Sequence, residues 1–133
     1  MEIPRKKVAS AATSTATTKQ AGDAAEDRAL AHLVEKGLKL LARNYRTPGR
    51  GGGEIDLVMR EPGGTLVFVE VRKRSSNDFG GAAASVGHIK QRRIIFAARH
   101  YLMRLAQLPP CRFDVVSVQG RDVGWLKGAF EAG

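Results

Sequence analysis

EIDLVMREPGGTLVFVEVRKR, residues 54–74, decides the fold. Its first seven residues alternate charged and apolar side chains, as a half-buried strand does. EPGG (61–64) supplies a turn, and TLVFVEVRKR (65–74) resumes as a strand rich in β-branched residues. Two strands joined this closely form a hairpin. Period-two alternation puts Glu54, Asp56 and Val58 on one face, with Ile55, Leu57 and Met59 on the other. Leu66, Phe68, Glu70 and Arg72 share a face of the second strand. Pairing about the 61–64 turn therefore sets Asp56 and Glu70 on neighbouring strands with converging side chains. Glu70 follows the run LVFV, so it enters from an apolar strand rather than a polar rim.

Upstream, LKLLARNYR (38–46) reads as another strand, and TPGRGGG (47–53) as a flexible turn. A helix is expected from Thr18 to Gly37. Ala25, Ala29, Leu30, Leu33 and Val34 recur at helical spacing, and Gly37 suits a left-handed C-cap. Residues 1–19 carry Arg5, Lys6 and Lys7 followed by Ala, Ser and Thr, and read as a disordered tail. Downstream, SSNDFGG (75–81) is a loop. A second helix is expected from Ser85 to Leu105, with Ile94, Ala97, Ala98, Tyr101, Leu102 and Leu105 facing inward. Pro109 and Pro110 close it off, CRFDVVSV (111–118) is a short strand, and the remainder adds at most a weak edge strand. The order α-β-β-β-α-β predicts an α/β fold: a mixed central sheet flanked by helices, forming one domain over 20–133.

Composition fits that size. The 133 residues are 43% hydrophobic and 26% charged, and 22 Lys and Arg against 13 Asp and Glu give a net charge of +9. Such a surplus favours polyanionic partners. One cysteine, Cys111, excludes an intrachain disulfide and a Cys-based zinc site, and reads as a small buried apolar residue. No apolar run is long enough for a membrane span. The N-terminus lacks an apolar segment with a cleavage site, so the cytoplasm is the expected location. His32, His88 and His100 lack metal-ligand spacing, and GRGGGE lacks the ending of a phosphate loop. Aromatic content of 6% argues against a stacking platform of the single-strand-binding type and leaves junction or duplex backbone recognition open.

Glu26 lies four residues before Leu30 and seven before Leu33, on the inward stripe of the first helix. With Asp56 and Glu70, three carboxylates then point toward one region. Like charges withdrawn from water repel, so the group needs compensation. A hard cation such as Mg²⁺ is one answer. Cationic partners among Arg72, Lys73 and Lys90 are the other, and the residues alone leave both open. Lys90, four residues before Ile94, borders the inward stripe, a position from which lysines commonly snorkel to water. Arg92, Arg93, Arg99 and Arg104 on the same helix make either a phosphate-contacting face or an ordinary solvated one.

GDAAEDRAL (22–30), NYR (44–46), GGEIDLVM (52–59), FVEVRKRSS (68–76), FGGAAASV (79–86) followed by Lys90, and CRFDVV (111–116) together resemble the bacterial YraN-like family. That family is regarded as a distant relative of Holliday-junction resolvases and other PD-(D/E)xK nucleases. The resemblance runs from about Thr18 to the C-terminus. It implies a restriction-endonuclease-like fold and cleavage of phosphodiester bonds in structured or single-stranded nucleic acid. It also implies Mg²⁺ or Mn²⁺ held by Glu26, Asp56, Glu70 and the backbone carbonyl of Val71. The superfamily's E-x-K is Glu70-Val71-Arg72 here. Arginine stays protonated and supplies only positive charge. Either Lys90 stands in for the missing lysine, completing a catalytic set of Glu26, Asp56, Glu70, Arg72 and Lys90, or the chain binds nucleic acid without cutting it. Nucleic acid, DNA before RNA, would lie on Arg46, Arg72, Lys73, Arg74, Arg92 and Arg93. No membrane partner is expected, and a homodimer follows by analogy with resolvases alone.

Overall fold

The computed structural model describes residues 18–74 and 86–132. The expected tail lies outside that range except for Thr18 and Lys19, which open the first helix, and the 75–81 loop lies wholly outside it. The elements are α1 (Thr18–Glu35), β1 (Lys39–Arg46), β2 (Glu54–Arg60), β3 (Leu66–Lys73), α2 (His88–Leu102), β4 (Cys111–Gln119) and β5 (Asp122–Phe130). The five strands form one sheet in chain order, β1-β2-β3-β4-β5. All neighbours are antiparallel except β3 and β4, which run parallel and are joined through α2. This mixed sheet with a helix on each face is consistent with a restriction-endonuclease-like fold.

Both faces of the central strands are buried, which is why LVFV is a continuous apolar run rather than an alternating one. Leu57, Met59, Val67, Val69, Val116 and Val118 pack under α1 with Ala25, Ala29 and Leu33. Val58, Leu66, Phe68, Phe113 and Val115 pack under α2 with Ile94, Ala97 and Ala98. Ile55 departs from the expected alternation: it joins the α2-side cluster rather than the face of Leu57 and Met59. The β2–β3 ladder ends two residues away, at Leu57–Val69. Val34 is also a correction, because it is exposed on the outer side of α1. Gly37, at φ +99°, ends the helix as expected, with the Leu38 amide donating to the Leu33 carbonyl.

Four other expectations are corrected. α2 is shorter than 85–105: Gly87 is its N-cap and Met103 its C-cap, so the chain leaves the helix well before the prolines. The last segment is a nine-residue strand rather than a weak, fraying edge. The glycine-rich turn is clasped rather than loose. The Gly53 amide donates to Thr47 Oγ1 at 2.7 Å, the Thr47 amide donates to the Gly53 carbonyl at 3.1 Å, and Thr47 is buried. A side chain at Gly53 would run into the Arg93 carbonyl, so α2 packs directly on this turn. Cys111 is exposed instead of buried.

Candidate active site

The pocket forms where β2 and β3 part company. Their register pairs Leu57 with Val69 and Val58 with Phe68, which sets Asp56 across from Glu70 just past the last ladder pair. There the Val71 amide donates to Asp56 Oδ2, at 2.8 Å. A side chain thus takes the ladder's place and opens the sheet by one step. Asp56 and Glu70 both lie on the α2 side, since Glu70 continues the face of Leu66 and Phe68. The N-terminal half of α2 completes the pocket, which is lined by Glu54, Asp56, Glu70, Lys90, Arg93 and Ile94.

Glu70 is 4% exposed, and Lys90 Nζ reaches its Oε2 at 3.1 Å. Asp56 is held protonated up to about pH 7. Burial is the largest cause, followed by the Glu70 charge; the Val71 amide pulls the other way, a hydrogen bond with Glu70 adds to the rise, and Lys90 opposes it. Two carboxyl groups sharing a pocket with one ammonium are therefore under-compensated at neutral pH.

Glu26 approaches from α1. Burial and then the Asp56 charge raise its pKa, against hydrogen bonds from Arg43 and Asn44, so the Glu26 and Asp56 charges act on each other. Arg43 clamps this acidic end of α1: it meets Glu26 Oε1 at 3.3 Å, Asp27 Oδ1 at 2.8 Å and the Asp23 carbonyl at 3.3 Å. Asn44 sits at φ +54°, a left-handed position that non-glycine residues seldom take within a strand. Its side chain hydrogen-bonds Glu26.

The structure thus brings Asp56, Glu70 and Lys90 together and leaves Glu26 at the margin. Among the described residues no three His, Cys, Asp or Glu side chains gather as a metal-holding set. Two carboxylates are still a sufficient protein share for Mg²⁺, which commonly keeps several waters and takes phosphate oxygens besides. The Val71 carbonyl lies on the same strand edge as its amide, facing β2. The donor set therefore fits a hard divalent cation.

Arg72, half-buried, follows Glu70 by two residues on the same face, whereas Lys73 is exposed on the other. The Arg74 amide extends the β3–β4 pairing by donating to the Val118 carbonyl. Arg46 is exposed and stands 3.7 Å from Glu54 Oε2. Arg92 and Arg93 are exposed, and Arg93 Nε donates to the Gly52 carbonyl at 3.2 Å.

Residues 25–118 match the "Uncharacterised protein family UPF0102", a span holding every residue that lines the pocket. The chain belongs to family UPF0102. It is 64% identical over 132 residues to the UPF0102 protein of Albidiferax ferrireducens, covering 99% of each chain. It is 68% identical over 117 residues to that of Paracidovorax citrulli, covering 88% of this chain and 87% of the relative. A third UPF0102 protein, from Polaromonas naphthalenivorans, is 66% identical over 125 residues.

Reading this UPF0102 chain as a sequence leaves out a second polar centre. Asp114 on β4 is fully buried, yet receives Arg112 Nε at 2.8 Å and Arg112 Nη2 at 2.9 Å, Trp125 Nε1 at 2.8 Å and the Gly128 amide at 2.9 Å. Arg112 also bonds Glu61 at 2.9 Å. Every acceptor position of Asp114 is engaged, so it ties β5 to the sheet and has no capacity for a ligand. The i, i+2 spacing of Arg112 and Asp114 on one strand face was the available signal. His100 is likewise structural, with Nδ1 at 2.6 Å from the Tyr45 hydroxyl. No helix among the described residues is long and apolar enough to cross a membrane.

Proposed function

We propose that this chain is a metal-dependent nuclease that hydrolyses phosphodiester bonds in nucleic acid. The observation that carries the reading is the Asp56–Glu70 pair: two carboxyl groups on adjacent strands, one of them held protonated to about pH 7, with Lys90 at 3.1 Å from the other. Perturbed acids in a cleft beside a positioned cation are what a hydrolytic site requires, and an ordinary surface ion pair has no use for the second carboxylate.

Asp56, Glu70 and the Val71 carbonyl would hold Mg²⁺ or Mn²⁺. Such an ion, when bound, polarises a phosphate oxygen and makes water a better nucleophile. The Val71 amide fixes the Asp56 carboxylate, so its free oxygen keeps one orientation. Lys90 supplies the titratable amine that Arg72, always protonated, cannot, placing an ammonium beside Glu70 where it can orient water or meet phosphate charge. Arg93 and Arg46 put further positive charge at the rim, where phosphates flanking the cleaved bond would be held. Glu26 acts on Asp56 through its charge, and Arg43 limits that effect.

The resemblance to the resolvase-related nucleases supports this reading, as does the +9 charge. The arginine at position 72 favours a second one, a nucleic-acid-binding protein with a degenerate site. A cleavage assay separates them. Wild type and Glu70→Ala are run with Mn²⁺ on junction, flap, duplex and single-stranded substrates. Cleavage by wild type that Glu70→Ala loses supports the nuclease. Salt-sensitive binding by both proteins with cleavage by neither leaves the second reading standing.

A further inference from the structure

The outer face of α2 carries three large apolar side chains in water: Ile89, 70% exposed, Phe96, 54%, and Met103, 77%. They stand seven residues apart, so they form one line along the helix, drifting by about 40° from end to end. Arg92 and Arg99 flank the line on one side and Arg93 on the other, all exposed. α2 has no acidic residue to neutralise them. The Arg93 flank is continuous with the pocket, which Arg93 and Lys90 line. An apolar line with uncompensated cations on both sides suits a ligand that offers negative charge and an apolar face together.

We infer that this face of α2 docks nucleic acid with unpaired bases, its arginines on the phosphates and Phe96 against a base. The inference rests on the nucleic-acid reading above and adds which form of nucleic acid is held, and where. Charge complementarity selects the occupant. A second copy of the same face would set arginine against arginine with no acidic partner. A membrane-inserting helix presents an apolar sector of roughly 100° or more, well beyond this narrow line. An intact duplex offers phosphates to the arginines but no apolar surface to Phe96, because its bases are stacked inside. An unpaired strand offers both at once: backbone charge to the flanks and a base face to the ring. Phe96 is one ring, so it acts as a single stacking contact and not as a platform.

The test is fluorescence anisotropy of the full chain with a labelled oligo-dT and a labelled hairpin duplex of equal phosphate count, in EDTA so that cleavage plays no part. Phe96→Ala should weaken oligo-dT binding roughly tenfold and duplex binding less than twofold. Phe96→Trp should restore oligo-dT binding and show fluorescence quenching on addition of the unlabelled strand. Arg92→Glu with Arg99→Glu should weaken both ligands tenfold or more, less steeply as salt rises. Equal losses on both ligands with Phe96→Ala, or no loss on either, would overturn the inference. So would vesicles of phosphatidylglycerol and phosphatidylcholine binding where oligonucleotides do not, or a dimer in light scattering that Phe96→Ala dissolves. If the chain binds oligo-dT in this Phe96-dependent way but never cleaves it with Mn²⁺, the nuclease reading fails and the docking surface stands.

Discussion

Replacing Asp56 by Asn should make the metal-free protein more stable in mild alkali, although it removes a carboxylate from the centre of the site. In the folded chain Asp56 keeps its proton up to about pH 7, against a usual value of 3.8. The unfolded chain releases that proton near pH 4, so between the two values the folded state binds more protons and stability falls as pH rises. At pH 5.5 the folded group is still protonated and the unfolded one is not. Moving to pH 8 then costs the wild type about 2 kcal/mol, from one and a half pH units at about 1.4 kcal/mol each. Asn has the same shape, accepts the Val71 amide through its Oδ1 and cannot ionise, so the variant avoids that loss. Urea unfolding at pH 5.5 and pH 8 should show the wild type dropping by about 2 kcal/mol relative to Asp56→Asn, or roughly 8 °C in a thermal melt. Saturating Mn²⁺ at pH 8 should recover about 2–3 kcal/mol in the wild type and nothing in the variant. Parallel pH profiles for the two proteins would refute the reasoning, because Asp56 would then not be the strained group.

Three further outcomes follow from other contacts. Asp114→Ala strands the Arg112 guanidinium and the Trp125 indole and should cost about 3–5 kcal/mol in urea unfolding; a loss under 1 kcal/mol would mean that β5 is held by other means. Gly53→Ala puts a methyl group into the Arg93 carbonyl and 2.9 Å from the Ala97 Cβ, so α2 must shift. A loss of about 1–3 kcal/mol is expected, with weaker Mn²⁺-dependent cleavage, and stability equal to wild type would show that the turn yields freely. Lys90→Met leaves the buried Glu70 carboxylate without its ammonium, so it should cost about 1–3 kcal/mol in folding stability and abolish cleavage. Retained cleavage would hand the cation's role to another residue, with Arg93 the first to try.

The hairpin was legible because its signals are local. The turn at 61–64 sets the register, and the register alone puts Asp56 across from Glu70. Helix periodicity placed Ile94, Ala97 and Ala98 inward for the same reason. What escaped depends on contacts between distant segments. The stretch DVGWLKGAF is broken by Gly124 and Gly128 and looks like a poor strand. Yet Gly124 leaves room for Ser117, and the Gly128 amide is spent on Asp114. Arg43 reads as one more surface cation until α1 brings Glu26 and Asp27 to it. The side on which Ile55 lies could not be read either, because beyond Leu57 the strand is held only by β1, where Ile55 pairs with Tyr45, and no longer by β3.

Strand order equal to chain order has a consequence for how the pocket comes into being. Every strand pairs with its neighbour in sequence, and all five strands could begin pairing across short turns, β1–β2–β3 as one meander and β4–β5 as one hairpin. Only the parallel β3–β4 seam joins segments separated by a whole helix. The carboxylates belong to the meander, while Lys90 and Arg93 belong to the segment that returns across that seam. Loop closure makes such a seam the slow event in folding. Neither half carries the whole pocket alone, so Asp56 and Glu70 meet Lys90 and Arg93 only when that seam closes.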